Sequence, residues 1–382
     1  MDERPGAWTS WANRQLDDIR TAGQWRATRR FDARGPTGEL FDGPEASPAP
    51  QRVVSFASND YLGLSVHPAV IAAAHDALDR WGTGSTASRL IVGTRPCHHD
   101  LEDELAEWKG CARAIVYPTG YAANLGVLSV VGGPDVTVLS DELNHASLID
   151  GCRLSRSNVK VYRHSDLDHL ADLLHACAGR TVVVTDSVFS MDGDVAPVDE
   201  LAQLCAHHGA LLVLDEAHSV LGPHLSCAPD GLDVIRIGTL SKTLGALGGW
   251  VAGTQPVIDL LVNRSRPYIF TTAPSPADTA AALAALRVLR SAEGDQLIGR
   301  LRGSIDRIAP GHPSPIIPIV LGKEEAALGA AAALLAKGIF VPAIRPPTVP
   351  VGTSRLRIAL SAIHTDAMIA DLAAALCALD PR

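Results

Sequence analysis

The chain has 382 residues, enough for two or three structural units and too many for one simple core. Lys and Arg number 33 against 42 Asp and Glu, and the net charge of −9 argues against nucleic acid or an anionic membrane surface as the main partner. Hydrophobic residues make up 47% and aromatics only 4%, so the core must be built from Ala, Val, Leu and Ile.

The opening MDERPGAWTSWANRQLDD lacks the apolar stretch of a secretory signal. No apolar run approaches the roughly 18 residues of a membrane span. Seven scattered cysteines form no disulfide framework. The expected location is the cytoplasm.

Residues 1–50 are polar and rich in Arg and Pro, with a helix predicted over Trp11–Thr28 and a loop over Pro44–Gln51. Short apolar, β-rich runs then recur at Ala112–Pro118, Val136–Asp141, Val159–His164, Thr181–Ser187, Leu211–Glu216, Asp233–Leu240 and Gly249–Thr254. Helical patterns such as LDHLADLLHACAG and VDELAQLCAHHG separate most of them. Continuous apolar runs suit strands buried on both faces, and the alternation predicts a doubly wound, mostly parallel sheet. After about residue 270 a long helical pattern, SPADTAAALAALRVLR, leads to a smaller α/β arrangement that includes a helix over Glu324–Lys337. The expected division is an N-terminal segment 1–50, a large domain 51–268 and a small domain 269–382.

In such a sheet, ligands bind beyond the carboxyl ends of the strands. Those ends run into TGYAANLG, ELNHASL, VFSMDGD, DEAH and GTLSK. Lys242 is one of five lysines and sits in GTLSKTLGALGG, without another charge. Desolvation there would lower its pKa and free the amine to attack carbonyls; the alternative is a lysine reaching out from a loop. Asp215 ends an apolar strand and needs either a cationic partner, such as a pyridinium nitrogen, or a helix start to cap. His218 either reaches a cofactor oxygen or is a satisfied core histidine. His145 either stacks on a flat ring or has a core or surface role. Gly120 opens a helix whose N–H groups suit a phosphate, with Thr239 and Ser241 as further donors.

Competing motifs fail on context. GTGSTA (82–87) follows a helical pattern rather than a strand, so it is no dinucleotide fingerprint. Cys97, His98 and His99 have no second ligand pair at zinc spacing, and no metal site is expected.

The segments SNDYLGLSVHP, GSTASRLIVGT, YPTGYAANLGVL, DELNHASLIDG, DSVFSMDGDVAP, LDEAHSVLG, GTLSKTLGALGGW, IFTTAPSP and IRPPTVPVGTSRLRIALSA, in this order, resemble the α-oxoamine synthases. The resemblance runs from about Trp25 to the C-terminus. It implies a homodimeric enzyme dependent on pyridoxal 5′-phosphate (PLP), of fold type I (aspartate-aminotransferase-like). That α/β fold has a large domain with a mostly parallel sheet and a smaller C-terminal domain.

The resemblance also implies residue roles. Lys242 would link to the cofactor's aldehyde and act as acid and base. Asp215 would hold the ring nitrogen, His218 the ring oxygen, and His145 would stack on the ring as a catalytic partner. Gly120, Tyr121, Thr239 and Ser241 would hold the phosphate, with Thr272 reaching it from the other subunit, and Ser190 and Ala217 would also line the cofactor. Arg357 would clamp the amino-acid carboxylate. Thr353 and Arg26 would touch substrate, with Arg29 or Arg30 as alternatives to Arg26. The branch it looks most like condenses L-alanine with a pimeloyl thioester, on CoA or acyl-carrier protein, and releases CO2. Other readings are another member of the family, which glycine turnover would reveal, an aminotransferase, or a non-catalytic dimer partner. The last would want the lysine lost, and it is present. Tyr121 stands where many relatives have Phe, and Thr86 replaces a common glycine.

Overall fold

The computed structural model describes residues 6–41, 50–225 and 227–379. The contacts divide the chain into two units, one of residues 56–319 and 357–382, the other of residues 1–55 and 320–356.

The larger unit is built on a seven-stranded sheet. Its order is Arg113–Tyr117, Gly249–Gly253, Val234–Thr239, Leu211–Asp215, Arg180–Asp186, Val136–Asp141 and Asn158–Tyr162. All seven strands lie within two residues of the expected runs. Gly249–Gly253 runs antiparallel to both neighbours, and the other pairings are parallel. The reason for the apolar runs lies in the two-residue period of a strand. Val182, Val184 and Val213 enter one apolar core, whereas Val183, Leu212 and Leu214 enter the other. Helices Gly120–Val131 and Ala146–Ser155 cover the first; Leu167–His175 and Val198–His208 cover the second. Each fully buried Val or Leu contributes about 1.5–3 kcal/mol. The alanine-rich run forms Pro276–Leu289, which packs on Pro68–Trp81 and Pro96–Lys109.

The smaller unit corrects the expected N-terminal segment. Strands Arg30–Arg34, Thr37–Phe41 and Gln51–Ser55 form an antiparallel meander, and Ile339–Phe340 adds a parallel fourth strand beside Gln51–Ser55. Backbone pairing therefore ties residues before 56 to residues after 320, and residues 269–319 fall in the larger unit through helix 276–289. The predicted helix over Trp11–Thr28 is instead Ala7–Thr21. It ends where Gly23 takes a left-handed φ of +66°, a conformation few other residues adopt. Most of the expected loop over Pro44–Gln51 lies outside the described residues.

Candidate active site

Strands Arg180–Asp186 and Leu211–Asp215 are parallel neighbours whose last residues stand in register, Asp186 against Asp215. Both acids are buried. Asp215 accepts the Asn124 amide on Oδ2 at 2.6 Å and the Ala217 backbone N–H on Oδ1 at 2.9 Å. Asn124 also donates to Ser147, at 2.8 Å. Asp186 accepts the backbone N–H of His145 at 2.7 Å. Among the described residues, neither carboxylate makes an ion pair. Burial, followed by the charge of Asp215, raises the Asp186 carboxyl well above the usual carboxylate range.

Lys242 is held in a closed turn. Leu240 and Ala246 bond across it, Leu240 N–H to Gly248 and Ala246 N–H to the Leu240 carbonyl, each at 2.9 Å. Gly245 has φ +62°, and a Cβ there would lie 2.3 Å from the Ser65 nitrogen, so the lone lysine's glycine-rich surroundings are a geometric requirement. Its Nζ lies 2.8 Å from His218 Nε2, and His218 Nδ1 lies 2.6 Å from the Tyr61 hydroxyl. Tyr61 donates onward to Asn59 Oδ1 at 3.1 Å. That order assigns the imidazole proton to Nδ1 and leaves Nε2 to accept from the amine. Burial lowers the Lys242 pKa, opposed by Asp215 and Asp186, with Arg357 pushing further down. Burial also drops His218 well below its ordinary value, helped by Lys242 and Arg357. Tyr61, fully enclosed, is pushed up to about 12 by burial. The amine thus faces a neutral imidazole.

A second nook forms at the start of helix Gly120–Val131. Thr119 caps the helix through the Ala122 N–H, at 3.0 Å. A Cβ on Gly120 would sit 3.3 Å from the Thr239 Cβ, inside this nook. Thr239 Oγ1 and Ser241 Oγ lie 2.7 Å apart. Two hydroxyls and a helix N-terminus make an anion site. Tyr121 is exposed and bonds Asp150 through its hydroxyl, so its backbone is the part at the helix start.

Arg357 is buried in strand Ser354–Ala359. It donates to the Ser190 carbonyl at 2.5 Å and to Asn59 Oδ1 at 3.2 Å. His145 caps helix Ala146–Ser155, its Nδ1 2.7 Å from Ser147 Oγ, and burial lowers its pKa. Thr272 is exposed. Arg26 and Thr353 belong to the smaller unit: Arg26 bonds Thr348 at 3.1 Å, and Thr353 bonds the Pro350 carbonyl at 2.7 Å. The structure thus gathers Lys242, His218, Asp215, Ala217, His145 and Arg357 through bonds or electrostatic reach. Tyr61, Asn124, Asp186 and Asn59 were missed. Asp186 carries the signal that revealed Asp215, an acid ending an apolar strand; Tyr61, Asn59 and Asn124 lie inside quoted motifs but gave no local chemical cue.

These residues fit PLP. A buried acid pair with no ion-pair partner needs a cation of the pyridinium kind, the helix start and its hydroxyls suit a phosphate, and a desolvated amine suits an aldehyde. The family model for class I and II aminotransferases matches residues 51–376. The chain belongs to that family and is a PLP-dependent enzyme. Its similarity is more specific: the 8-amino-7-oxononanoate synthase of Anaeromyxobacter dehalogenans (strain 2CP-1) is 46% identical, covering 97% of this chain and 96% of the relative. Within the family, the chain belongs with the 8-amino-7-oxononanoate synthases. Among solved structures, a serine palmitoyltransferase from S. paucimobilis with bound PLP–myriocin is similar at a TM-score of 0.86 and 29% identity, over 98% of each chain. The 8-amino-7-oxononanoate synthase of Francisella tularensis is similar at 0.71 and 26% identity, over 86% of this chain and 96% of that one.

Proposed function

We propose that the protein condenses L-alanine with a pimeloyl thioester, carried by CoA or acyl-carrier protein, releasing CO2 and the free thiol to give 8-amino-7-oxononanoate for biotin synthesis. We place it in the cytoplasm as a homodimer. The observation that carries the chemistry is the desolvated Lys242 amine beside two buried carboxylates. No helix among the described residues is long and apolar enough to cross a membrane.

PLP, when bound, supplies an aldehyde for amines and a cationic ring that accepts electron density. The chain's own groups do the rest. Asp215, held by Asn124 and Ala217, keeps the ring nitrogen protonated. His218, its orientation fixed by Tyr61, would be the group that meets the ring oxygen. The Gly120 helix start, Tyr121, Thr239 and Ser241 hold the phosphate, with Thr272 of the second copy. Ser190 and His145 line the ring. Lys242 Nζ, a free base more readily than an exposed lysine, moves the proton at the alanine Cα. Arg357 takes the alanine carboxylate with donors not given to Ser190 and Asn59. Arg26 and Thr353 are the remaining candidates for touching substrate.

Borohydride reduction of the holoenzyme followed by peptide mapping should place the label on Lys242, and Lys242→Ala should abolish both label and CO2 release; a label elsewhere would sink the assignment. The higher TM-score to serine palmitoyltransferase favours a second reading, serine with a long acyl thioester. The identities weigh against it, because substrate choice follows side chains rather than backbone path. CO2 release with alanine, glycine and serine against thioesters of several lengths decides between them.

A further inference from the structure

Asp186 has no part in the steps above, yet the residue is only 2% exposed and stands in register beside Asp215. The two acids are held differently. Asp215 receives an N–H on each oxygen, whereas among the described residues Asp186 receives only the His145 backbone N–H. Besides Asp215, the charged or titratable side chains acting on Asp186 are Lys242, Asp141 and the buried Tyr162, while His145 meets it through its backbone N–H. Two adjacent buried carboxylates cannot both ionise cheaply, and hydrogen bonds to the charged form decide which one does. By that measure Asp215 takes the charge. A ring nitrogen with one positive charge then meets one negative charge.

We propose that Asp186 is a positioning residue that stays protonated beside ionised Asp215, so that the strand ends present a single negative charge to the cofactor while an Asp186 oxygen fixes the backbone of His145. The inference rests on PLP being the cofactor of this site.

The test resolves holoenzyme to apoprotein and titrates PLP back, following its visible absorbance as a function of pH in the wild type, Asp186→Asn, Asp186→Ala and Asp215→Asn. Asn is neutral and keeps a carbonyl acceptor, so its PLP affinity should stay within about threefold, whereas Ala strands the His145 N–H and should lose about tenfold or more. Asp215→Asn should be weaker than either. The infrared spectrum of the wild-type holoenzyme should contain a protonated carboxyl band that Asp186→Asn removes. An Asn variant as weak as Asp215→Asn, an Ala variant equal to wild type, or a missing band each overturns the inference alone. A wild-type chain that takes up no PLP overturns the cofactor assignment and the inference with it.

Discussion

The shortest contact chain in the site runs Tyr61, His218, Lys242, and each link sets the state of the next. His218→Ala removes both the acceptor at 2.8 Å from the amine and the proposed partner of the ring oxygen. Its kcat should fall about 10- to 100-fold, with amino-acid KM changed less, as measured by steady-state kinetics. The same residue gives a pH prediction for the apoprotein. His218 titrates lower when folded than when unfolded, so the fold binds fewer protons, and its stabilising contribution is present above the unfolded value of about 6.5 and is lost as pH falls. Melting curves of apo His218→Gln should therefore depend less on pH below neutrality than those of wild type. An unchanged slope would show that other groups carry the acid response.

At the scale of elements, one strand end carries a buried charge cluster and one loop carries backbone strain. Glu216, directly after the strand that ends at Asp215, lies between Lys109 of helix Pro96–Lys109 at 2.7 Å and Arg236 of strand Val234–Thr239 at 2.6 Å. Burial opposes its charge and the two cations reverse that effect, so its carboxyl titrates below the ordinary value. Glu216→Ala would leave two buried cations unpaired and should cost about 3–5 kcal/mol in denaturant unfolding. Thr86 presents the opposite case. It holds φ +61°, unusual for a β-branched residue. Thr86→Gly should stabilise by about 1 kcal/mol, the relief of strain exceeding glycine's entropy. A loss of stability would mean that the threonine side chain makes a compensating contact.

For the whole molecule, the proposed dimer is supported by an exposed apolar stretch. Leu90, Ile91 and Val92 are 49%, 75% and 66% exposed, and Phe270 is 69% exposed. The two segments are neighbours, joined by the Ala273 N–H to the Ala87 carbonyl at 2.9 Å. An uncovered surface of this kind on one chain suits burial by a second copy. Ile91→Lys should shift the species seen in sedimentation toward monomer and lower PLP affinity. If Thr272 serves the neighbouring site, mixing Lys242→Ala and Thr272→Ala subunits should restore part of the activity that each lacks; no recovery after subunit exchange would place Thr272 outside the site.

Local patterns in the chain already determined the seven strands, the mostly parallel sheet and the candidacy of Lys242, Asp215 and Gly120. Their signals are nearest-neighbour properties: apolar runs set by burial on both faces, an acid ending a strand, and a lysine among glycines. Thr239 and Ser241 were legible as candidate phosphate donors from the residues alone, whereas Ser190, Thr272, Thr353 and Arg26 entered only with the motif resemblance. Tertiary structure alone decided that strand Gln51–Ser55 pairs with Ile339–Phe340, because strand pairing is not local. It also decided the Asn124 bond to Asp215 and the Tyr61 bond to His218, which join residues 91 and 157 positions apart. Above all it set Asp186 beside Asp215. Register between strands brings two acids together across 29 positions of sequence, and the protonation of each depends on that distance in space.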